Sequence, residues 1–239
     1  MSERCYIVGA GEYSGGFVPE CRDFVIAADA GYTRILRCGI VPDLVVGDFD
    51  SLGAPPEHPN IMQSPAEKDD TDLMLAVRQG LLHGCKTFII DGALGGRPDQ
   101  TLANYQILVH LARNGALGVL LGQDMCVTAV TNGSVCFSPP SAKAGMAMGA
   151  DSVIAPKPAA NADRGDKELV SIFSVSDRAE GVSLAGLKYP LSDAVLTCDF
   201  PLGVSNEFTE AAAAVSVRNG TLLIMWTGGL GRLKAAHGV

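Results

Sequence analysis

Apolar and polar positions change their period about midway along the chain. In the first half, short apolar runs at residues 5–8, 24–28, 44–46, 87–90 and 117–121 alternate with segments whose apolar residues recur every three or four positions. The runs are bounded by Gly, Asp and Pro and predict five buried strands. Between them, Tyr32, Ile35 and Leu36 predict a helix stopped by Gly39, and Leu73, Val77, Leu81 and Leu82 predict a second. Leu102, Tyr105, Leu108, Val109 and Ala112 predict a third, opened by Pro98 and closed by Gly115. Residues 54–65 read as a Pro-rich loop. Strands and helices in alternation imply an α/β fold with a mainly parallel sheet and helices on its faces.

Past Gly122 the pattern is β. Runs at 126–130 and 135–137 flank Asn132-Gly133, the strongest short-range hairpin signal in the chain, and Asn219-Gly220 between 213–217 and 222–226 predicts a second hairpin. Further strands are expected at 169–175 and 194–198, and Trp226 as a core residue of the last strand. Residues 143–167 have no clear period and read as a mobile loop with room for a short strand at 152–155. The Gly-rich segment from Gly228 reads as a partly disordered tail.

Composition narrows the partners. With 18 basic and 26 acidic side chains the net charge is −8, which argues against nonspecific binding to nucleic acid or to an anionic membrane. Small molecules or other proteins are expected instead. No secretory signal and no bilayer-spanning run is seen, so the protein is expected in the cytoplasm. Seven scattered cysteines without a C-x-x-C pair read as reduced thiols, mostly buried. The four histidines, His58, His83, His110 and His237, read as surface or packing residues.

Acidic residues carry the sharpest chemical signal. Asp29 ends the second strand, Asp48 and Asp50 follow the third, and Asp69, Asp70 and Asp72 open a helix. In a parallel sheet all of these positions fall at the carboxyl edge, where open α/β folds bind ligands. Crowded carboxylates repel one another unless a cation neutralises them, and Mg²⁺ carrying phosphate oxygens is the economical reason to gather them. Read structurally, Asp69 or Asp70 is a helix N-cap and the others are turn residues. Gly95-Gly96-Arg97 supplies matching donors: backbone N–H groups, a guanidinium and the positive end of a helix. Gly9-Ala10-Gly11 is a second candidate turn of this kind. The chain has no G-x-x-x-x-G-K-S/T loop, and Ser14 stands where a dinucleotide fingerprint needs its third glycine, which disfavours a Rossmann dehydrogenase.

The segments AADAG (27–31), PDLVVGDFDSL (42–52), KDDTDLMLAV (68–77), GGRPDQTLANY (95–105), GLKYPL (186–191) and SNEF (205–208) resemble, in order and spacing, the motifs of thiamine pyrophosphokinases. The resemblance spans nearly the whole chain. It implies an α/β domain at 1–122 that binds ATP and Mg²⁺, and a β-sandwich at 123–239 for thiamine binding and dimerisation. It also implies a homodimer that transfers diphosphate from ATP to thiamine. By the same resemblance Asp48, Asp50 and Asp72 are metal carboxylates with Asp29 beside them. Arg97, Asp99 and Gln100 match the R-x-D-H/Q segment between triphosphate and acceptor alcohol, with Asp99 or Asp72 taking the alcohol proton. Gly95 and Gly96 face the phosphates. Ser205 and Asn206 complete the thiamine pocket of the neighbouring subunit, and Tyr189 either adds an aromatic face there or packs in the sandwich. Two rivals remain: an aspartyl-phosphate phosphatase, suggested by Asp48-Phe49-Asp50 but opposed by Leu52 at the fifth position, and a non-catalytic thiamine or nucleotide sensor, opposed by the intact carboxylates and Arg97.

Overall fold

The computed structural model describes residues 4–15, 19–50, 53, 55–64, 70–139 and 167–237. Asp69 and the segment read as a loop at 143–167, apart from Lys167, lie outside these residues. The described chain divides into two compact units, Met1–Leu108 with Gly118–Gly122, and Val109–Leu117 with Gln123–Val239. The first is an α/β unit and the second is all β, as the sequence predicts.

In the first unit the strands are β1 (Arg4–Val8), β2 (Phe24–Ala28), β3 (Leu44–Gly47), β4 (Ile61–Gln63), β5 (Thr87–Asp91) and β6 (Leu117–Leu121), in the spatial order β6-β5-β1-β2-β3-β4. β1 runs parallel to β2 and β5, and β3 runs parallel to β2 and β4. The central runs lack alternation because both faces are covered: Cys5, Ile7, Val8, Ile26, Val45, Val46, Phe88 and Ile90 are fully buried. β4 was read as loop; it is a three-residue edge strand, too short to show a period. With the strands parallel, the chain leaves β1, β2, β3 and β5 along one edge, at Gly9, Asp29, Asp48 and Gly92.

The helices are α1 (Gly31–Arg37), α2 (Asp72–Leu82) and α3 (Pro98–Arg113). Each exists where apolar periodicity places it, but the buried faces are rotated. Leu36, Leu82 and Leu102 are 41%, 81% and 62% exposed, whereas α3 buries Asn104, Ile107, Leu108 and Leu111. Asn104 donates its amide to the Ala93 carbonyl at 2.6 Å, which turns this polar residue inward and Leu102 outward. The cap of α2 is not Asp70 but Thr71, whose hydroxyl accepts from the Met74 N–H at 3.2 Å; Asp70 instead pairs with Arg78 at 2.6 Å.

In the second unit β7 (Cys126–Thr131), β9 (Leu169–Ser174), β12 (Gly203–Glu207) and β14 (Thr221–Trp226) form one antiparallel sheet, ordered β12-β9-β14-β7. The other holds β8 (Ser134–Phe137), β10 (Arg178–Ala185), β11 (Leu191–Thr197), β13 (Ala213–Ser216) and β15 (Leu233–His237), ordered β11-β10-β13-β8-β15. Buried Phe137 and Trp226 meet edge to face with ring centroids 5.4 Å apart, one from each sheet. The segment after Gly228, read as a tail, supplies β15, which pairs with β8.

Neither Asn-Gly turn closes a hairpin. β7 pairs with β14 and β8 with β13 and β15, so Asn132-Gly133 carries the chain from one sheet to the other, and Asn219-Gly220 carries it back. A two-residue type I′ turn needs positive φ at both positions. Here only Asn132 (φ 50°) and Gly220 (φ 114°) have it, one per turn. The two turns bind each other: Asn132 N–H donates to the Gly220 carbonyl at 3.1 Å and Gly220 N–H to Asn132 Oδ1 at 2.9 Å. The cysteines also depart from expectation. Cys5, Cys85 and Cys126 are buried, but Cys21, Cys38 and Cys198 are exposed.

Candidate functional site

A cavity of about 530 Å³ opens at the carboxyl edge of the parallel sheet. Its wall is made by Gly9, Ala10 and Gly11 after β1, Ala28 and Asp29 at the end of β2, and Thr71, Asp72 and Leu73 at the start of α2. Gly92, Ala93, Gly95, Gly96 and Arg97 between β5 and α3, with Gln100 and Asn104 on α3, complete it. Gln100 and Asn104 stand four residues apart on one face of the helix.

The turns that frame the cavity are interlocked. Gly9 N–H donates to the Asp91 carbonyl at 2.8 Å, Gly11 N–H to the Gly92 carbonyl at 2.6 Å and Glu12 N–H to the Leu94 carbonyl at 2.9 Å. The sequence offered Gly9-Ala10-Gly11 as a phosphate cradle, but the Gly9 and Gly11 N–H groups are used within the protein. Gly92 must be glycine: its φ is 69°, and a Cβ there would lie 2.5 Å from the Gly9 carbonyl oxygen. Gly95 (φ 79°) has the Glu12 side chain in the space a Cβ would take.

Arg97 and Asp99 form a two-point pair, Nη2 to Oδ2 at 2.6 Å and Nε to Oδ1 at 3.1 Å. Asp99 also accepts the Gln100 N–H at 2.9 Å. The Arg97 guanidinium holds the Asp99 carboxyl below its ordinary range, and Asp99 in turn raises Arg97. Both side chains are mostly exposed, at 72% and 63%. Arg97 borders the cavity and Asp99 does not.

Asp48 and Asp50 flank Phe49, which is 2% exposed and has φ 63°. The buried ring anchors a left-handed turn that leaves the two carboxylates on its outer side, with Asp48 Oδ1 accepting the Asp50 N–H at 3.2 Å. Asp29 is likewise left-handed (φ 48°). Of the five non-glycine residues with positive φ among the described residues, these two stand just after β2 and β3. Asp29 and Asp72 line the cavity, whereas Asp48 and Asp50 do not. Among the described residues no three His, Cys, Asp or Glu side chains are gathered as a metal cage. The donors are nevertheless right in kind for a hard divalent cation. Mg²⁺ characteristically takes one or two carboxylates and completes its shell with water and phosphate oxygens.

The second unit holds a smaller cavity of about 160 Å³ lined by Leu184, Tyr189, Leu191, Leu202, Gly203, Val204 and Asn206. Asn206 is 4% exposed and its amide is engaged on both sides: Oδ1 accepts the N–H groups of Tyr189 at 3.0 Å and Glu207 at 2.9 Å, and Nδ2 donates to the Tyr189 carbonyl at 2.7 Å. It therefore shapes the loop that presents Tyr189, whose ring is 57% exposed. Ser205 is exposed and left-handed (φ 57°), with its N–H donating to Ser171 Oγ at 3.0 Å where the β12–β9 register shifts. Thr71 and Asn104 also line the cavity without standing out in the sequence. For Asn104 the signal is its spacing of four residues from Gln100 on α3.

Comparison with known proteins identifies the family. A family model described as "Thiamin pyrophosphokinase, catalytic domain" matches residues 18–119, and one described as "Thiamin pyrophosphokinase, vitamin B1 binding domain" matches residues 159–222. Thiamine pyrophosphokinase of Bacillus subtilis (strain 168) is 27% identical over 206 residues, 84% of this chain and 85% of that protein. A crystal structure of a thiamin pyrophosphokinase family protein from Enterococcus faecalis gives a TM-score of 0.71 at 27% identity, covering 95% of this chain and 99% of the other. Yeast thiamin pyrophosphokinase, 13% identical, shares the fold with a TM-score of 0.66 over 95% of this chain and 86% of its own. With one model of the same family matched in each half and relatives aligned over most of its length, the chain belongs to the thiamin pyrophosphokinase family of enzymes.

Proposed function

We propose that this protein transfers diphosphate from ATP to the hydroxyethyl group of thiamine, forming thiamine diphosphate and AMP, as a cytoplasmic homodimer with Mg²⁺. The observation that carries the reading is the cavity wall: two carboxylates, Asp29 and Asp72, line the same cavity of about 530 Å³ as Gly95, Gly96 and Arg97. In this reading residues 1–122 hold ATP and the cation, and residues 123–239 hold thiamine and the dimer contact.

The thiamine alcohol oxygen bonds to the β-phosphorus while the bond from that phosphorus to the α,β-bridging oxygen breaks, and AMP departs with the electron pair. Little covalent work falls to the protein, so positioning and charge dominate. Arg97 and the N–H groups of the Gly95-Gly96 turn bind the phosphate oxygens on which charge builds. Mg²⁺, when held by Asp48, Asp50 and Asp72 together with phosphate oxygens, supplies further neutralisation there. The alcohol proton goes to a carboxylate on the wall. In this reading Asp72, which lines the cavity, takes the alcohol proton, and Asp99, bonded to Arg97 at two points, orients that guanidinium. Gln100 cannot act as a base and hydrogen-bonds the acceptor end of the site. Ser205, Asn206 and the Tyr189 ring serve the neighbouring subunit's thiamine, whose cationic thiazolium an acidic site attracts. Omission of thiamine tests the reading: AMP should form from ATP only when thiamine is present, and AMP formed equally without it would reject transfer to thiamine.

A further inference from the structure

One carboxylate beside the cavity is not used by the transfer chemistry. Asp91 ends β5 and is fully buried. Its Oδ1 accepts the N–H of Ser14 at 2.8 Å and of Gly92 at 2.7 Å, and its Oδ2 accepts the Ser14 hydroxyl at 2.6 Å. Its own carbonyl accepts the Gly9 N–H at 2.8 Å. Asp91 thus grips both turns that frame the cavity, one ahead of Ser14 and one that begins at Gly92. Residues 9–11 carry no side chain larger than a methyl group and lie backbone against backbone on the second turn, so what fixes them is the hydrogen bonding between the turns together with Asp91. Burial pushes the Asp91 carboxyl above its ordinary range even against the Ser14 and Gly92 donors and the Arg34 guanidinium. A buried carboxylate whose three side-chain hydrogen bonds all go to Ser14 and Gly92, at the two turns, does more than fill space.

We propose that Asp91 is a positioning residue for the nucleotide: through Ser14 and Gly92 it fixes the 9–11 turn against the 92–96 turn, so that the Gly95-Gly96 N–H groups stand where the ATP phosphates are received, without itself touching substrate. This rests on the reading of the cavity as the ATP site.

The test compares the wild type with Asp91→Ala, Asp91→Asn and Ser14→Ala by equilibrium titration with ATP and by steady-state formation of thiamine diphosphate. In Asp91→Ala, ATP binding weakens and KM for ATP rises by about ten-fold or more, while kcat changes by less than about three-fold and KM for thiamine holds. Asn keeps an Oδ1 acceptor for both backbone N–H groups and offers Nδ2 to the Ser14 oxygen, so Asp91→Asn recovers most of the lost affinity. Should Asp91→Ala fail to fold, Ser14→Ala carries the test with an expected rise in KM for ATP of about three-fold. The proposal is overturned by ATP affinity within about two-fold of wild type in the folded variants, by a fall in kcat or active fraction alone, or by Asp91→Asn binding as weakly as Asp91→Ala. Wild-type protein that binds ATP yet makes no thiamine diphosphate rejects the functional reading while leaving Asp91 to be judged on binding. Wild-type protein that binds no ATP rejects both.

Discussion

Arg97 and Asp99 hold each other at two points across a single intervening residue, Pro98, with the shorter contact at 2.6 Å between Nη2 and Oδ2. This pairing lowers the affinity of the Asp99 carboxyl for a proton, and of the two residues only Arg97 lines the cavity. A general base contributes about 10² to 10⁴ in rate, whereas loss of an orienting contact costs less. Asp99→Asn is therefore expected to lower kcat by about ten-fold, and Arg97→Gln by about a hundred-fold or more. A loss of about a thousand-fold in Asp99→Asn would place the base at Asp99 after all.

Asp48→Asn, Asp50→Asn and Asp72→Asn are each expected to lower turnover by at least about two orders of magnitude in saturating Mg²⁺. Stability should be nearly unchanged, since Asp50 is exposed and the cap of α2 is Thr71. Thr71→Ala, by contrast, should cost about 1 kcal/mol of stability. Urea unfolding measured beside activity separates the cases: full activity in Asp48→Asn and Asp50→Asn removes the metal assignment, and unfolding of Asp72→Asn makes that residue structural.

Burial raises the Asp91 carboxyl above its ordinary value of 3.8. A raised acid contributes stability that is fully present below the unfolded-chain value and is lost as the pH climbs through the folded-state value. Asp91→Asn does not titrate. The stability of wild type minus that of Asp91→Asn is therefore expected to fall as pH rises from 3.8 through the raised value, and to level off above it. Unfolding curves across this range, in matched salt, show it; a difference that grows in favour of wild type with rising pH contradicts the assignment.

Much of this was legible in the sequence, for physical reasons that differ by region. The parallel strands are buried on both faces, so β1, β2, β3 and β5 appear as unbroken apolar runs ended by Gly or Asp, and the acidic edge follows directly. β10 and β12 were invisible because register shifts at Glu180/Val182 and Gly203/Asn206 break the two-residue period. The Asn-Gly turns misled because the dipeptide signals a tight reversal but not whether the next strand stays in the same sheet. At the site, Arg97, Gln100, Asp29 and Asp72 sit within quotable motifs. Asp91 escaped notice because its partner Ser14 is 77 residues away, and Asn104 because it resembled one more polar helix position.

Homodimer function has its own test. Asn206→Ala removes the three hydrogen bonds that shape the Tyr189 loop, and Asp50→Asn removes a carboxylate proposed to hold the cation in the other unit. Each variant alone is expected to be nearly inactive. Mixed after reversible dissociation, they should recover part of the activity, because a heterodimer restores one intact site from an unaltered α/β unit and an unaltered β unit. Verified heterodimers without recovery would show that Asn206 serves its own subunit.

Which phosphorus the alcohol attacks is the central claim, and isotopic label answers it directly. With ATP labelled at the γ-phosphate, thiamine and Mg²⁺, the label is expected in thiamine diphosphate, with unlabelled AMP formed in equal amount. Labelled thiamine monophosphate accumulating with ADP would contradict diphosphate transfer, even if every carboxylate and Arg97 proved essential.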